Sequence, residues 1–326
     1  MNIKKIGLTA LAASLVSVSA YAGEMSVAGS ASVGVKNNAG KTGGKSITMG
    51  NQLTFTGGGE LDNGLNVDLS FILDQGDDTT GTDDARLKSS PFDSHSITIS
   101  SDAMGSIVIA GEGAGNAQSA LDTTAAGDIW DNAFTSGSAQ TGYTKMAGSD
   151  ASGSSINYTL PTLMDDLSVS ASYSPGGTSI TSTTAFGITY TGVEGLSVSY
   201  GAGENGSTTA TTSGDVTTMK ASYAMGSFTG AYSNTESDKD STGTDEEMSS
   251  FKLSYTVTDD LSISYGEETH ETSAQTVDEE FDAVTVSYTT GGMTITAAQY
   301  NATGLANTAG SANEAARWKL KAAFAF

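Results

Sequence analysis

Strict two-residue alternation closes this chain. Between residues 315 and 326, Trp318, Leu320, Ala322, Phe324 and Phe326 share one parity, and Arg317, Lys319, Lys321, Ala323 and Ala325 share the other. A period of two is a β-strand with two unlike faces. The same alternation recurs in short segments along the sequence. Phased by their apolar residues, these segments predict sixteen strands: 25–35, 46–56, 65–74, 95–100, 106–112, 156–160, 167–174, 185–191, 196–202, 216–224, 227–233, 248–257, 261–268, 281–289, 293–301 and 315–326. The connectors alternate in length. Short turns fall at 61–64, 102–105, 161–166, 192–195, 225–226, 258–260 and 291–292, the first carrying Asn-Gly and the last Gly-Gly, which tolerate positive φ. The other connectors are longer and polar. All turns then lie at one end and all loops at the other, the pattern of an up-and-down transmembrane barrel.

Residues 1–22 read as a cleaved secretory signal. Lys4 and Lys5 precede an apolar stretch from Ile6 to Val16, too short to span a bilayer, and Ala20-Tyr21-Ala22 is a small-x-small cleavage site. Residues 23–326 are then a single β-barrel domain. No later apolar run reaches the length of a transmembrane helix, but barrel strands are only half apolar and escape such a scan. A secreted soluble β-protein is the competing reading. The position of charge fits the barrel but would fit a soluble sandwich too, and the aromatics are the stronger discriminator. Lys220, Lys252, Arg317, Lys319 and Lys321 lie on the polar parity of their strands, and Lys36 continues it. Tyr173, Tyr190, Tyr200, Tyr223, Tyr232, Tyr255, Tyr265 and Tyr288 lie near strand ends on the apolar parity, as an interfacial aromatic girdle does.

Charge narrows the function. There are 37 Asp and Glu against 14 Lys and Arg, a net charge of −23, which argues against nucleic acid as a partner and favours cations. Cysteine is absent, so there are no disulfides. Only His95 and His270 are available for acid–base chemistry, and no Ser sits in a nucleophile elbow, so the chain is not expected to be an enzyme. Acid clusters at Asp77, Asp78, Asp83 and Asp84, at Asp238 to Glu247 and at Glu271 to Glu280 read as solvated loops; weak Ca²⁺ or Mg²⁺ binding, bridging to lipopolysaccharide, is the alternative. No other cofactor is implied.

Residues 24–34 (EMSVAGSASVG), the hairpin 53–65 (LTFTGGGELDNGL), the strand 104–111 (MGSIVIAG) and the closing strand ending on Phe326 occur in an order that resembles bacterial general-diffusion porins of the sixteen-stranded trimeric kind known from Rhodobacter. The resemblance implies an all-β, 16-stranded antiparallel transmembrane barrel whose long third loop folds into the lumen. It also implies an outer-membrane location, a homotrimer, assembly by the barrel-assembly machinery with Phe326 as signal, and passage of small polar solutes. The third long connector here, 113–155, is the longest, and a connector that long is normally functional.

On the family pattern, Asp122, Asp128 and Asp131 of this connector, with Glu112 on lumen parity, form the acidic side of the pore eyelet. Arg317, Lys319, Lys321 and Lys36 form the basic wall, on first and last strands that closure brings together. Trp130 and Phe134 anchor the loop, with Leu121 and Ile129. The second strand departs from the resembled porins: it carries neutral Thr48, Gly50, Gln52 and Thr54 where they carry Arg. With acids in excess, the expected channel prefers cations. A substrate-specific channel, or a structural or adhesive surface barrel, is the alternative. Asn51 breaks the outward apolar parity: either a bulge re-aims it or another subunit covers that face, and small Gly29 and Ala31 favour the subunit contact.

Overall fold

A computed structural model describes residues 25–37, 44–74, 94–112, 115–134, 149, 154–177, 180–243, 245–310 and 313–326. The signal expected at 1–22 and the acids Asp77, Asp78, Asp83 and Asp84 lie outside the described residues. The strands are β1 (Met25–Asn37), β2 (Lys45–Glu60), β3 (Asn66–Asp74), β4 (Ser94–Ser101), β5 (Gly105–Glu112), β6 (Ser155–Thr159), β7 (Leu167–Ser174), β8 (Thr183–Val193), β9 (Leu196–Asn205), β10 (Gly214–Met225), β11 (Phe228–Lys239), β12 (Glu246–Thr258), β13 (Leu261–Thr272), β14 (Glu279–Thr290), β15 (Met293–Thr303) and β16 (Ala315–Ala325). Each pairs antiparallel with its sequence neighbours, and β1 pairs with β16, so the sheet closes into a barrel.

Closure is specified by the end of the sequence. The register sets Ser30 opposite Ala325, Gly34 opposite Lys321 and Lys36 opposite Lys319. Phe326 then exchanges both backbone hydrogen bonds with Gly29, at 2.7 and 2.9 Å. A Cβ on Gly29 would lie 2.3 Å from the Phe326 ring, so this glycine leaves room for the chain's own final side chain and not for a neighbouring subunit, correcting that part of the expected contact. The short turns rely on left-handed glycine. Gly105 has φ 82°, and a side chain there would run into the Thr159 carbonyl.

The two faces of the wall differ as the alternation requires. Tyr200, Tyr232, Phe251, Leu253, Tyr255, Val284, Tyr288, Leu320 and Phe324 point outward and are exposed. Outward rings pair between strands, Phe228 with Tyr255 at 4.7 Å and Phe251 with Tyr265 at 5.9 Å. No core lies on that side, so this apolar band fits lipid, which is how an aromatic-edged barrel band is solvated. The inner parity carries Ser172, Thr218, Ser233, Thr235 and Ser250, all buried.

Strands of the second half run further toward the long connectors than their apolar phase indicates. β11 reaches Lys239 and β13 reaches Thr272. The extra residues keep the alternation but place Glu236, Asp238 and Glu271 on outward positions, beyond the aromatic row. His270 therefore lies within β13, fully buried, and not in a loop.

Candidate functional site

Residues 115–134 of the third long connector lie against the inner wall between β7 and β16, and β7, β10, β11, β12, β13 and β16 supply polar holds. Ala117 N donates to Ser172 Oγ of β7 at 3.0 Å. Gln118 Nε2 donates to Thr218 Oγ1 of β10 at 2.8 Å, which in turn bonds Thr235 of β11 at 2.8 Å. Lys220 Nζ of β10 donates to the Thr123 carbonyl at 2.6 Å. Ala125 N donates to Ser233 Oγ of β11 at 2.7 Å, and Ala126 N to Ser250 Oγ of β12 at 3.0 Å. A connector without its own ladder must find partners for its backbone groups, and inward Ser and Thr side chains provide them.

Room for the connector comes from glycines on the inner parity. A Cβ at Gly187 would lie 2.7 Å from the Ala117 carbonyl. One at Gly201 would lie 3.1 Å from Leu121 Cδ1, and one at Gly266 would lie 2.8 Å from Ala126 Cβ. Gly187 and Gly201 face each other in register on β8 and β9, so the wall is recessed where the loop enters.

The connector then turns into a short helix, α1 (Ile129–Phe134). Its start is held by Glu268 of β13, which is 1% exposed. Glu268 accepts from Ile129 N at 2.9 Å, from Trp130 N at 3.0 Å, and from the Thr124 hydroxyl. The first N–H groups of a helix lack internal partners, and a carboxylate satisfies them with favourable charge. Thr124 and Asp128 close the preceding turn reciprocally: Thr124 N donates to Asp128 Oδ1 at 2.9 Å, and Asp128 N to Thr124 Oγ1 at 2.7 Å. Asp128 adopts φ 54°. Burial pushes its carboxyl above the usual range, against lowering by the Thr124 hydrogen bonds; Asp131 raises it further and Lys220 lowers it.

The end of α1 is fixed by packing. Phe134 meets Phe281 of β14 at 5.7 Å and joins a cluster with Ile129, Ala133, Ala283, Ala302, Leu305 and Ala315, against which Trp130 packs. Arg317 of β16 donates to the Ala133 carbonyl and lies 5.9 Å from the Phe134 ring.

These placements revise several expected roles. Arg317 is 2% exposed, so it holds the end of α1 and is not a wall charge open to the lumen; the loop covers it. Lys36 and Lys319 sit directly opposite each other, with Lys321 next along β16, so these three lysines gather at the seam of the barrel. Asp128 is engaged in its own turn, while Asp131 is exposed and Asp122 half-buried. Glu112 ends β5, where the β4–β5 register shifts, pairing Ser96 with Ala110 but His95 with Glu112. Glu268 and the inner glycines were missed, because Glu and Gly on polar parity look like any lumen lining, and Gln118 was missed because a polar residue in a connector carries no periodic signal. Among the described residues, no group of three or more His, Cys, Asp or Glu side chains is arranged to hold a metal ion.

A closed barrel, apolar and aromatic outside and polar inside, with a connector bound to its inner wall, is the architecture of an outer-membrane channel. The sequence profile of the Gram-negative porin family matches residues 7–326, and the chain belongs to that family. Solved structures share the fold at low identity. The anion-selective porin from Comamonas acidovorans is 15% identical, with a TM-score of 0.65 over 93% of this chain and 99% of that one. A mutant of Rh. blastica porin is 14% identical, with a TM-score of 0.63 over 93% and 100%. Salmonella typhi OmpF in complex with daunomycin is 11% identical, with a TM-score of 0.68 over 93% and 98%. No curated protein matches the chain in sequence.

Proposed function

We propose that this porin is a general-diffusion channel in which residues 115–134 narrow a water-filled lumen and small hydrophilic solutes and ions pass down their gradients. The observation that carries this reading is the continuous attachment of that connector to the inner wall from β7 to β16. Its Ser, Thr and Glu partners point inward, so the connector takes up lumen cross-section. Among the described residues, inward aromatic side chains are few, which favours general diffusion over a sugar-specific path.

Cation preference is the second part of the proposal. Asp122 and Asp131 on the connector, with Asp68 and Asp74 on inward positions of β3, set negative charge against the Lys36, Lys319 and Lys321 seam. Covering Arg317 removes one positive charge from the path, tipping the balance further toward acid. Fixed charge in a narrow aqueous site concentrates counter-ions and sets selectivity. The Comamonas porin with this fold is anion-selective, so the fold leaves the sign to the side chains. Reversal potentials of an Asp122→Asn, Asp131→Asn variant in a salt gradient test this: the shift should be toward anions, and an unchanged value would remove these acids from the mechanism.

The channel is proposed to work as a homotrimer contacting lipopolysaccharide, after assembly through its closing strand. Its acidic connectors are read as solvated, with weak divalent-cation binding as the alternative. Asn51, outward between Met49 and Leu53, remains the proposed contact residue. Trimers retained by Asn51→Lys on cold detergent gels would exclude it.

A further inference from the structure

The outer wall carries a recess that neither closure of the barrel nor docking of the third connector uses. Ala171 of β7, Phe186 of β8, Ala202 of β9 and Thr217 of β10 lie in one register row on outward positions. Ala171, Ala202 and Thr217 are small, and the Phe186 ring pairs with Tyr200, one row nearer the short turns, at 5.9 Å. A groove of about 520 Å³ opens between this row and the next outward row toward the long connectors. That next row is acidic. Glu204 and Asp215 face each other in register at the edge of the groove, both exposed, and Asp238 of β11 continues the row opposite Asp215.

Two unlike surfaces meet at this edge. The groove belongs to the apolar outer band, where Phe186 and Met219 are exposed, and a recess in a lipid-facing band is filled by hydrocarbon. The acids stand where that band ends. Like charges directly opposite on a sheet repel, and more strongly beside a medium of low dielectric constant. Among the described residues, none supplies Glu204, Asp215 or Asp238 with a cation. Lys239, next to Asp238 in sequence, is buried against Glu246 at 2.8 Å, and Lys220 donates to the Thr123 carbonyl inside the barrel. Glu204 accepts one long contact, from Thr184 N at 3.5 Å. A purely anionic headgroup over the groove would add to the repulsion. An ammonium, a compact positive charge with several donors, would relieve it.

We propose that the groove over β7 to β10 is a binding site for a lipid with an ammonium in its headgroup. One acyl chain lies along Ala171, Phe186, Ala202 and Thr217, and the ammonium sits between Glu204 and Asp215. The site is on the outer wall and makes no use of the lumen.

Native mass spectrometry of the purified full-length protein tests the site. The protein is delipidated in detergent and titrated with phosphatidylethanolamine or phosphatidylglycerol of identical acyl chains. A chelator is present, so that no divalent cation bridges acid to phosphate. Wild type should hold one phosphatidylethanolamine per chain about tenfold tighter than phosphatidylglycerol, the scale of one charge-assisted contact. Glu204→Gln combined with Asp215→Asn should bring the two lipids to equal affinity. Ala202→Leu, which fills the groove, should remove the bound lipid, with heat-modified gel migration as the folding control for both variants. Equal binding of the two lipids by wild type would overturn the site and needs no variant. A headgroup preference that survives Glu204→Gln with Asp215→Asn would overturn it as well. Lipid retained only when Ca²⁺ replaces the chelator would assign the acids to a bridging cation and reject the ammonium. Loss of the oligomer in folded Ala202→Leu would give the groove to a second copy of the chain instead. None of these readouts involves conductance, so failure of the site leaves the channel reading standing.

Discussion

Replacing Glu268 by Ala isolates the hold on the start of α1. The carboxylate accepts from Ile129 N, Trp130 N and the Thr124 hydroxyl in a site closed to water. Removing it leaves two helix-initial N–H groups buried without a partner. Each such orphan costs about 1–3 kcal/mol, so docking of α1 should weaken by about 2–6 kcal/mol. At about 1.4 kcal/mol per factor of ten, even the lower bound makes the undocked helix about thirty times more populated. The remaining holds, Ser172, Ser233 and Ser250 on the earlier half and the Phe134–Phe281 contact at the far end, lie outside this change, so the helix should loosen while the connector stays in the barrel. The barrel itself should assemble normally, because the β13 pairings with Ser250 and Phe281 are made by backbone. The assay is single-channel recording in planar bilayers, with heat-modified gel migration as the folding control. The expected result is a normally folded barrel with larger and noisier conductance. A folded Glu268→Ala channel with wild-type conductance and noise would show that Glu268 does not hold the narrowing element.

Other expectations follow from the same geometry. Gly187→Val drives a side chain into the Ala117 carbonyl and should displace the loop and raise conductance; Gly230→Val, where a Cβ meets nothing within 4 Å, should leave conductance unchanged. Gly29→Val puts a side chain where the Phe326 ring lies and should lower the fraction of heat-modifiable folded barrel on gels. Asp128 has its pKa raised by burial in the docked loop, so ionisation works against docking: the contribution is favourable in acid and is lost as pH rises through the raised value. Asp128→Asn keeps the oxygen that accepts Thr124 N, so it should reduce current noise at neutral pH, with the difference from wild type disappearing in acid.

Sequence alternation carried most of the fold. Trp318, Leu320 and Phe324 against Lys319 and Lys321 give the phase of β16, and the left-handed glycines of the short turns mark the hairpins. The upper strand ends were hidden for a physical reason. Beyond the aromatic row the outer face is no longer in hydrocarbon, so Glu236, Asp238 and Glu271 keep the strand period without an apolar signal. The site was legible in part. Trp130 and Phe134 announce an anchored loop because such rings are costly to leave in water. What they anchor to was not legible. Glu268 differs from the acidic neighbours Glu267 and Glu271 only by parity, and its role appears only when the loop backbone is placed beside it. Arg317 was read as a lumen charge by the same parity rule, and only three-dimensional cover by Ala133 and Phe134 reassigns it.

The reversal potential of the purified wild-type protein across a salt gradient, recorded on single channels, tests the central claim most directly. Stepwise conductance with a potential of cation-selective sign is the expected result, because acid on the connector and on β3 outweighs a basic seam from which Arg317 has been withdrawn. Stepwise conductance with anion-selective sign would contradict the charge assignment, and the absence of any conductance would contradict the channel.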